Sequence, residues 1–235
     1  MSLKNEIILI TGTRKGIGYE LARHFLEKNK IVIGCSRKEA SIIHDNYTHF
    51  MVDVGEEKEV KKMIRTIIKK YKKIDVLINN AGIALMNHLL LTSKKSSENI
   101  INTNFLGTFL FTREVSRIMI RNKYGRIINF TTVAVPLNLP GEAIYASSKS
   151  AVETFSRISS KELGQFGITV NSIGPSPVLT DLIRLVPKDK IDSLIEHQAI
   201  KRFGKMDDII NVVDFFCSEK SDFISGQTIY LGGIN

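Results

Sequence analysis

The chain has 235 residues, 43% of them hydrophobic and 24% charged, which suits one soluble α/β domain with a sizeable core. No apolar run approaches the ~18 residues of a membrane span, and Met1–Ile10 lacks the basic start and cleavage site of a signal peptide, so a cytoplasmic protein is expected. The net charge of +9 raises nucleic acid as a partner. Yet Lys61, Lys62, Lys69, Lys70, Lys72 and Lys73 alternate with apolar positions as on a solvated helix face, so an anionic cofactor or substrate is the better reason for the charge, and no nucleic-acid or membrane partner is expected.

In chain order, short β-branched runs alternate with segments of helical period. The first strand, Ile7–Ile10, leads into Thr11-Gly12-Thr13-Arg14-Lys15-Gly16-Ile17-Gly18 and a helix over Ile17–Lys28. Glycines there permit a tight turn and let backbone amides reach a pyrophosphate, which the positive helix end stabilises. No Lys-Ser/Thr pair follows the last glycine, so this is not a Walker A loop. The second strand, Ile31–Cys35, ends in Ser36-Arg37-Lys38, with no acid before Glu39. An NAD-type site needs a carboxylate there for the ribose hydroxyls. Arg37 can instead fork onto a 2′-phosphate, Ser36 can donate to it, and Arg14 and Lys15 lie beside the same place. The third strand, His49–Val52, runs into Asp53 and Val54 and then a helix over Glu56–Tyr71, which Asp53 could cap.

The fourth strand, Ile74–Ile78, is followed by Asn79-Asn80-Ala81-Gly82, and a long helical stretch covers Lys94–Arg121 with a possible bend at Asn102–Gly107. The fifth strand, Arg126–Thr131, ends in two hydroxyl residues, Thr131 and Thr132. The helix Ala143–Gln165 opens with Tyr145-Ala146-Ser147-Ser148-Lys149, which places Tyr145 and Lys149 on one face a turn apart. A free tyrosine titrates near about 10. A neighbouring ammonium should lower that value and make Tyr145 a usable proton source near neutrality. After the sixth strand, Ile168–Ile173, an irregular excursion of about 175–205 reads as a substrate loop or lid, with a helix candidate at Lys188–Ala199. A helix over Asp207–Cys217 and a last strand, Thr228–Leu231, close the chain. The two cysteines, Cys35 and Cys217, read as reduced core residues. The expected architecture is a single-domain α/β Rossmann fold: a doubly wound, seven-stranded parallel sheet with helices on both faces.

Thr11-Gly12-x-x-x-Gly16-x-Gly18 and Asn79-Asn80-Ala81-Gly82 resemble the two cofactor motifs of the short-chain dehydrogenase/reductase family. The resemblance implies that Gly12, Gly16, Ile17 and Gly18 cradle the phosphates. It also implies that Asn80, Ala81 and Gly82 line the adenosine side, and that Asp53 with Val54 meets the adenine. A basic residue before the second glycine, Lys15, and another after the second strand, Arg37, are similar to members that prefer NADPH, so NADP(H) is the implied cofactor and no metal is called for. Tyr145 and Lys149 match the catalytic pair: Tyr145 exchanges the proton and Lys149 anchors the ribose. Thr132 stands thirteen residues ahead of Tyr145, where the family has serine, and Thr131 is the fallback donor. Asn104 matches the asparagine that bends the long helix and supports a water relay to Lys149.

Gly174-Pro175-Ser176-Pro177-Val178-Leu179-Thr180 is similar to the family's Pro-Gly segment, with Ser176 in place of glycine. Pro175 and Val178 border the nicotinamide there, and Thr180 touches its carboxamide or a phosphate. The implied activity is reduction of a carbonyl to an alcohol. The general look is that of the 3-oxoacyl-(acyl-carrier-protein) reductase branch, so a substrate carried on acyl carrier protein is one candidate, although Phe166 stands where that branch tends to carry a basic side chain. Sugar, polyol and secondary-alcohol dehydrogenases share every motif quoted, and a catalytically idle NADP(H)-binding protein is a further alternative. Leu137, Leu139, Leu182, Ile183 and Leu185 suggest a partly apolar substrate pocket. The family also implies a homo-oligomer, tetramer or dimer, paired through Lys94–Arg121, Ala143–Gln165 and the last strand.

Overall fold

The computed structural model describes residues 6–178 and 188–234. Seven strands form one parallel sheet: β1 (Ile7–Thr11), β2 (Ile31–Ser36), β3 (Tyr47–Met51), β4 (Val76–Asn79), β5 (Gly125–Phe130), β6 (Ile168–Gly174) and β7 (Thr228–Tyr230). Their order is β3-β2-β1-β4-β5-β6-β7, so the winding reverses between β1 and β4 and opens a crevice beyond their carboxyl ends. Helices α1 (Gly16–Glu27) and α8 (Met206–Cys217) cover one face, and α2 (Glu57–Tyr71) and α4 (Gly107–Asn122) cover the other. The expected doubly wound sheet is therefore present, with each strand within about two residues of its sequence assignment.

The strands are legible because both faces are covered. Ile7 and Leu9 pack with Val60, Met63 and Phe111 on one side, while Ile8 and Ile10 pack with Leu21, Phe25 and Val213 on the other. A strand buried on both faces needs apolar residues at every position, and β1 is buried throughout. On α2, Val60, Met63, Ile64 and Ile67 are buried, while Lys58, Lys62, Lys69 and Lys70 face solvent, as the alternation predicts. Both cysteines are free, and Cys35 is buried. Among the described residues no helix is long and apolar enough to cross a membrane.

The long predicted helix divides at the expected place. Helix α3 (Lys94–Ile101) passes through a wider π turn, Asn102–Leu106, into α4. The turn buries Asn104 completely, and Gly107 has no Cβ where one would press on Val54. A one-turn helix, α5 (Ala134–Leu137), escapes the sequence reading because four residues carry no period. Helix α6 (Ala143–Leu163) bears the Tyr145–Lys149 pair, and α7 (Lys188–Glu196) matches the helix candidate in the late excursion.

Candidate active site

The crevice is built first by steric necessity at the end of β1. Gly12 and Gly16 have φ of +78° and +62°, where a side chain is strained. A Cβ on Gly12 would lie 2.9 Å from Asn80 Nδ2, and one on Gly18 would collide with Asn80 Nδ2 and the Gly12 carbonyl. Asn80 needs that closeness: its Nδ2 donates to the Thr11 carbonyl at 2.9 Å, and its amide donates to Thr11 Oγ1 at 3.1 Å. The Ala81 amide donates to the same hydroxyl at 3.0 Å. The two motifs thus form one rigid unit across the switch point. No acidic residue sits in the first turn of α1, so nothing there opposes an anion at the leading amides. Arg14, Lys15, Arg37 and Lys38 are exposed around the same rim. A bare cradle, a helix start without acid and a basic rim fit the pyrophosphate and 2′-phosphate of a dinucleotide.

Two residues of this half behave differently from expectation. Asp53 does not cap α2, whose N-cap is Glu56; its Oδ1 accepts from the Gly55 amide at 3.0 Å and holds the turn after β3, with Val54 buried beside it. Ser36 does not present its proton outward, because its Oγ donates to the Lys38 carbonyl at 2.5 Å.

The catalytic half lies beyond β5. Lys149 is buried, and its Nζ donates to the Phe130 carbonyl at 2.7 Å. Thr132 Oγ1 accepts from the Ala134 amide at 3.3 Å and lies near enough to the Tyr145 phenol to favour its ionised form. Asn104 grips Ile83 twice: its Oδ1 accepts from the Ile83 amide and its Nδ2 donates to the Ile83 carbonyl, both at 2.9 Å. Its Nδ2 also reaches Ser148 Oγ at 3.0 Å. Ser148 Oγ in turn donates to the Tyr145 carbonyl at 2.7 Å, so the π turn, the strand end after Gly82 and the start of α6 are tied together. A Cβ on Gly82 would sit 3.3 Å from both Asn104 Oδ1 and Lys149 Nζ, which is why that motif ends in glycine.

The proton energetics reverse the expectation for Tyr145. Burial pushes the phenol up to about 12, against the lowering effect of the nearby Thr132 hydroxyl, and the Glu142 carboxylate adds to the rise. Burial pulls Lys149 down to about 8. Desolvation dominates at both groups, and the amine expected to lower the phenol is turned to the Phe130 carbonyl. The chain alone therefore keeps the proton on Tyr145 at neutral pH, the state that an acid needs.

A sequence-family profile described as enoyl-(acyl carrier protein) reductase matches residues 12–234. The chain is a short-chain dehydrogenase/reductase. As a member of that family it is an oxidoreductase acting on alcohol or carbonyl groups. The 3-oxoacyl-(acyl-carrier-protein) reductase FabG of Staphylococcus epidermidis is 32% identical over 239 residues, covering 97% of this chain and 98% of the relative. Among solved structures, ElxO with NADP bound superposes with a TM-score of 0.89 at 28% identity, covering 97% of each chain. The Thermoplasma acidophilum aldohexose dehydrogenase, in ligand-free form, gives 0.89 at 26% identity, covering 99% of this chain and 94% of that one.

The structure of this dehydrogenase/reductase brings Thr132, Tyr145 and Lys149 to one place and ties Asn104 to it through Ser148. Pro175 follows β6, and its carbonyl accepts from the Val133 amide at 3.4 Å, beside Thr132. Val178 pairs with Gly204 as an isolated parallel bridge. Ser176, standing for the family glycine, is buried without positive φ, so the backbone there needs no glycine. Thr180, Leu182, Ile183 and Leu185 lie outside the described residues. Thr131 is not a spare donor: its hydroxyl goes to Glu153 Oε1 at 2.5 Å, which also accepts from Tyr230 Oη at 2.6 Å. Sequence reasoning missed Glu153, which the four-residue spacing from Lys149 places on the same helix face. It holds residue 131, the link between the Phe130 carbonyl under Lys149 and the Thr132 hydroxyl at Tyr145.

Proposed function

We propose that this enzyme reduces a carbonyl to an alcohol with NADPH, on a 3-oxoacyl thioester borne by acyl carrier protein in the first instance. The observation that carries the reaction is the protonated Tyr145 phenol, next to the Thr132 hydroxyl and one turn of α6 before a buried Lys149. NADPH, when bound, supplies the hydride. Thr132 orients the carbonyl oxygen and Tyr145 Oη delivers its proton to that oxygen. Lys149, charged at neutral pH, stabilises the phenolate left behind and serves the ribose hydroxyls. Gly12, Gly16, Ile17, Gly18, Asn80, Ala81 and Gly82 shape the dinucleotide cradle, and Pro175 and Val178 border the nicotinamide end.

The basic rim of Arg14, Lys15, Arg37 and Lys38, without an acid at the end of β2, supports NADPH over NADH. ElxO, with NADP bound, shares this fold. The FabG relatives and the net charge of +9, which suits an acidic carrier, support the thioester substrate. The aldohexose dehydrogenase neighbour supports a sugar as the second reading. The half-exposed Leu106 and Ile158, on the helices that pair in the family, support a homo-oligomer.

NADPH consumption with an acetoacetyl thioester, and NADP+ reduction with an aldohexose, by the native enzyme and by Tyr145→Phe, test the reading. Turnover of the thioester with a fall of about 10²–10⁴-fold on removing the phenol is expected. Turnover of the sugar alone selects the second reading. Equal silence of native and variant across carbonyl substrates would leave an idle cofactor-binding protein.

A further inference from the structure

A row of polar side chains joins the glycine turn to the segment after β2. Thr13 Oγ1 lies 2.8 Å from Tyr47 Oη, and Tyr47 Oη lies 2.9 Å from His49 Nδ1. On the other side of the ring, His49 Nε2 lies 3.0 Å from the Lys38 carbonyl and 3.2 Å from Ser36 Oγ. The row passes over Gly34, opposite His49 in the β2–β3 register, where a Cβ would strike both Tyr47 Oη and Thr13 Oγ1. Thr13 is wholly buried, and burial lowers the His49 pKa, so the imidazole is neutral at neutral pH.

The direction of each bond follows. A carbonyl can only accept, so the ring proton is on Nε2 and points at Lys38. Nδ1 then accepts from Tyr47, and Tyr47 accepts from Thr13. The Lys38 carbonyl therefore holds two side-chain donors, the His49 ring and the Ser36 hydroxyl. If the Ser36 hydroxyl turns outward, the carbonyl keeps a partner. Without the ring, the same rotation strips that carbonyl of both. The ring also bridges the two segments that carry the local charges, Arg14 and Lys15 on one and Arg37, Lys38 and Glu39 on the other.

We propose that His49 is a positioning residue that sets cofactor specificity: it relieves Ser36 of the Lys38 carbonyl, so that the Ser36 hydroxyl can serve a ribose 2′-phosphate, and it fixes the two basic segments around that phosphate. The proposal rests on the NADPH reading above. Dissociation constants for NADPH and NADH, read by cofactor fluorescence, test it on the native protein, His49→Ala, His49→Gln and Tyr47→Phe. Loss of the ring should weaken NADPH by about tenfold, the effect of one hydrogen bond to a charged group, and leave NADH within about twofold. The glutamine amide can donate to the Lys38 carbonyl and should restore most of the difference. Tyr47→Phe, which frees the ring from the glycine turn, should move the same ratio the same way with the fold intact. Equal losses for both cofactors, or an unchanged NADPH/NADH ratio in both His49→Ala and Tyr47→Phe, would overturn the proposal while a native preference for NADPH left the cofactor reading standing. A native protein that binds both cofactors alike would sink the two together.

Discussion

Replacing Lys149 by methionine separates what this residue does for catalysis from what it does to stability. Its pKa falls from 10.5 to about 8 on burial. At 1.36 kcal/mol per pH unit this corresponds to about 3 kcal/mol of cost for carrying the charge in the folded state at neutral pH. The side chain is 4% exposed, so little screening reduces the figure. Methionine removes the charge at similar length but leaves the Phe130 carbonyl without its donor, at about 1–3 kcal/mol. The variant should therefore be inactive yet about as stable as the native protein at pH 7, or more stable by up to about 2 kcal/mol.

The pH dependence carries the sharper test of Lys149→Met. The folded pKa is below the unfolded one, so the charge penalty is fully present below about pH 8 and vanishes above the unfolded value near 10.5. Native stability should thus rise relative to the variant across that window, until only the lost hydrogen bond separates them and the variant is the weaker. Urea unfolding of both proteins by circular dichroism, at equal concentration and at the two ends of the window, measures the difference, and other groups titrating there cancel between them. A gap of the same size at both ends would refute the assignment of a buried, depressed ammonium.

Asn104→Ala removes both bonds to Ile83 and the one to Ser148, and should lower stability by about 2–4 kcal/mol in denaturant unfolding, with most activity lost as the start of α6 loosens. Gly18→Ala places a methyl against Asn80 Nδ2 and the Gly12 carbonyl, so cofactor titration should show at least about a tenfold loss of affinity with a lower melting temperature. Thr132→Ser should keep activity within a few-fold of native, whereas Thr132→Val, which retains the shape without the hydroxyl, should lose about 10²-fold in kcat. The latter should also move the Tyr145 ionisation upward in the pH–rate profile, because the neighbouring Thr132 hydroxyl is what lowers it.

Much of this architecture is written in short-range chemistry. Ile7–Ile10 reads as a strand because burial on both faces admits no polar position. The glycine turn is legible because Gly12 and Gly16 take backbone angles that few other residues tolerate. Tyr145 and Lys149 share a face by helical geometry alone, and the break at Asn102–Leu106 coincides with a buried asparagine before a glycine. What tertiary structure alone decided is how those groups are charged and to what they are bonded. Tyr145 rises and Lys149 falls because β5 and its neighbours take the amine and much of the phenol out of water, and desolvation is a property of the enclosure. The Ser36 proton goes to a carbonyl two residues on, and Thr131 goes to a glutamate twenty-two residues away; no local pattern encodes either choice. Spacing places the side chains on a face, and only the assembled neighbours set the free energy of each proton.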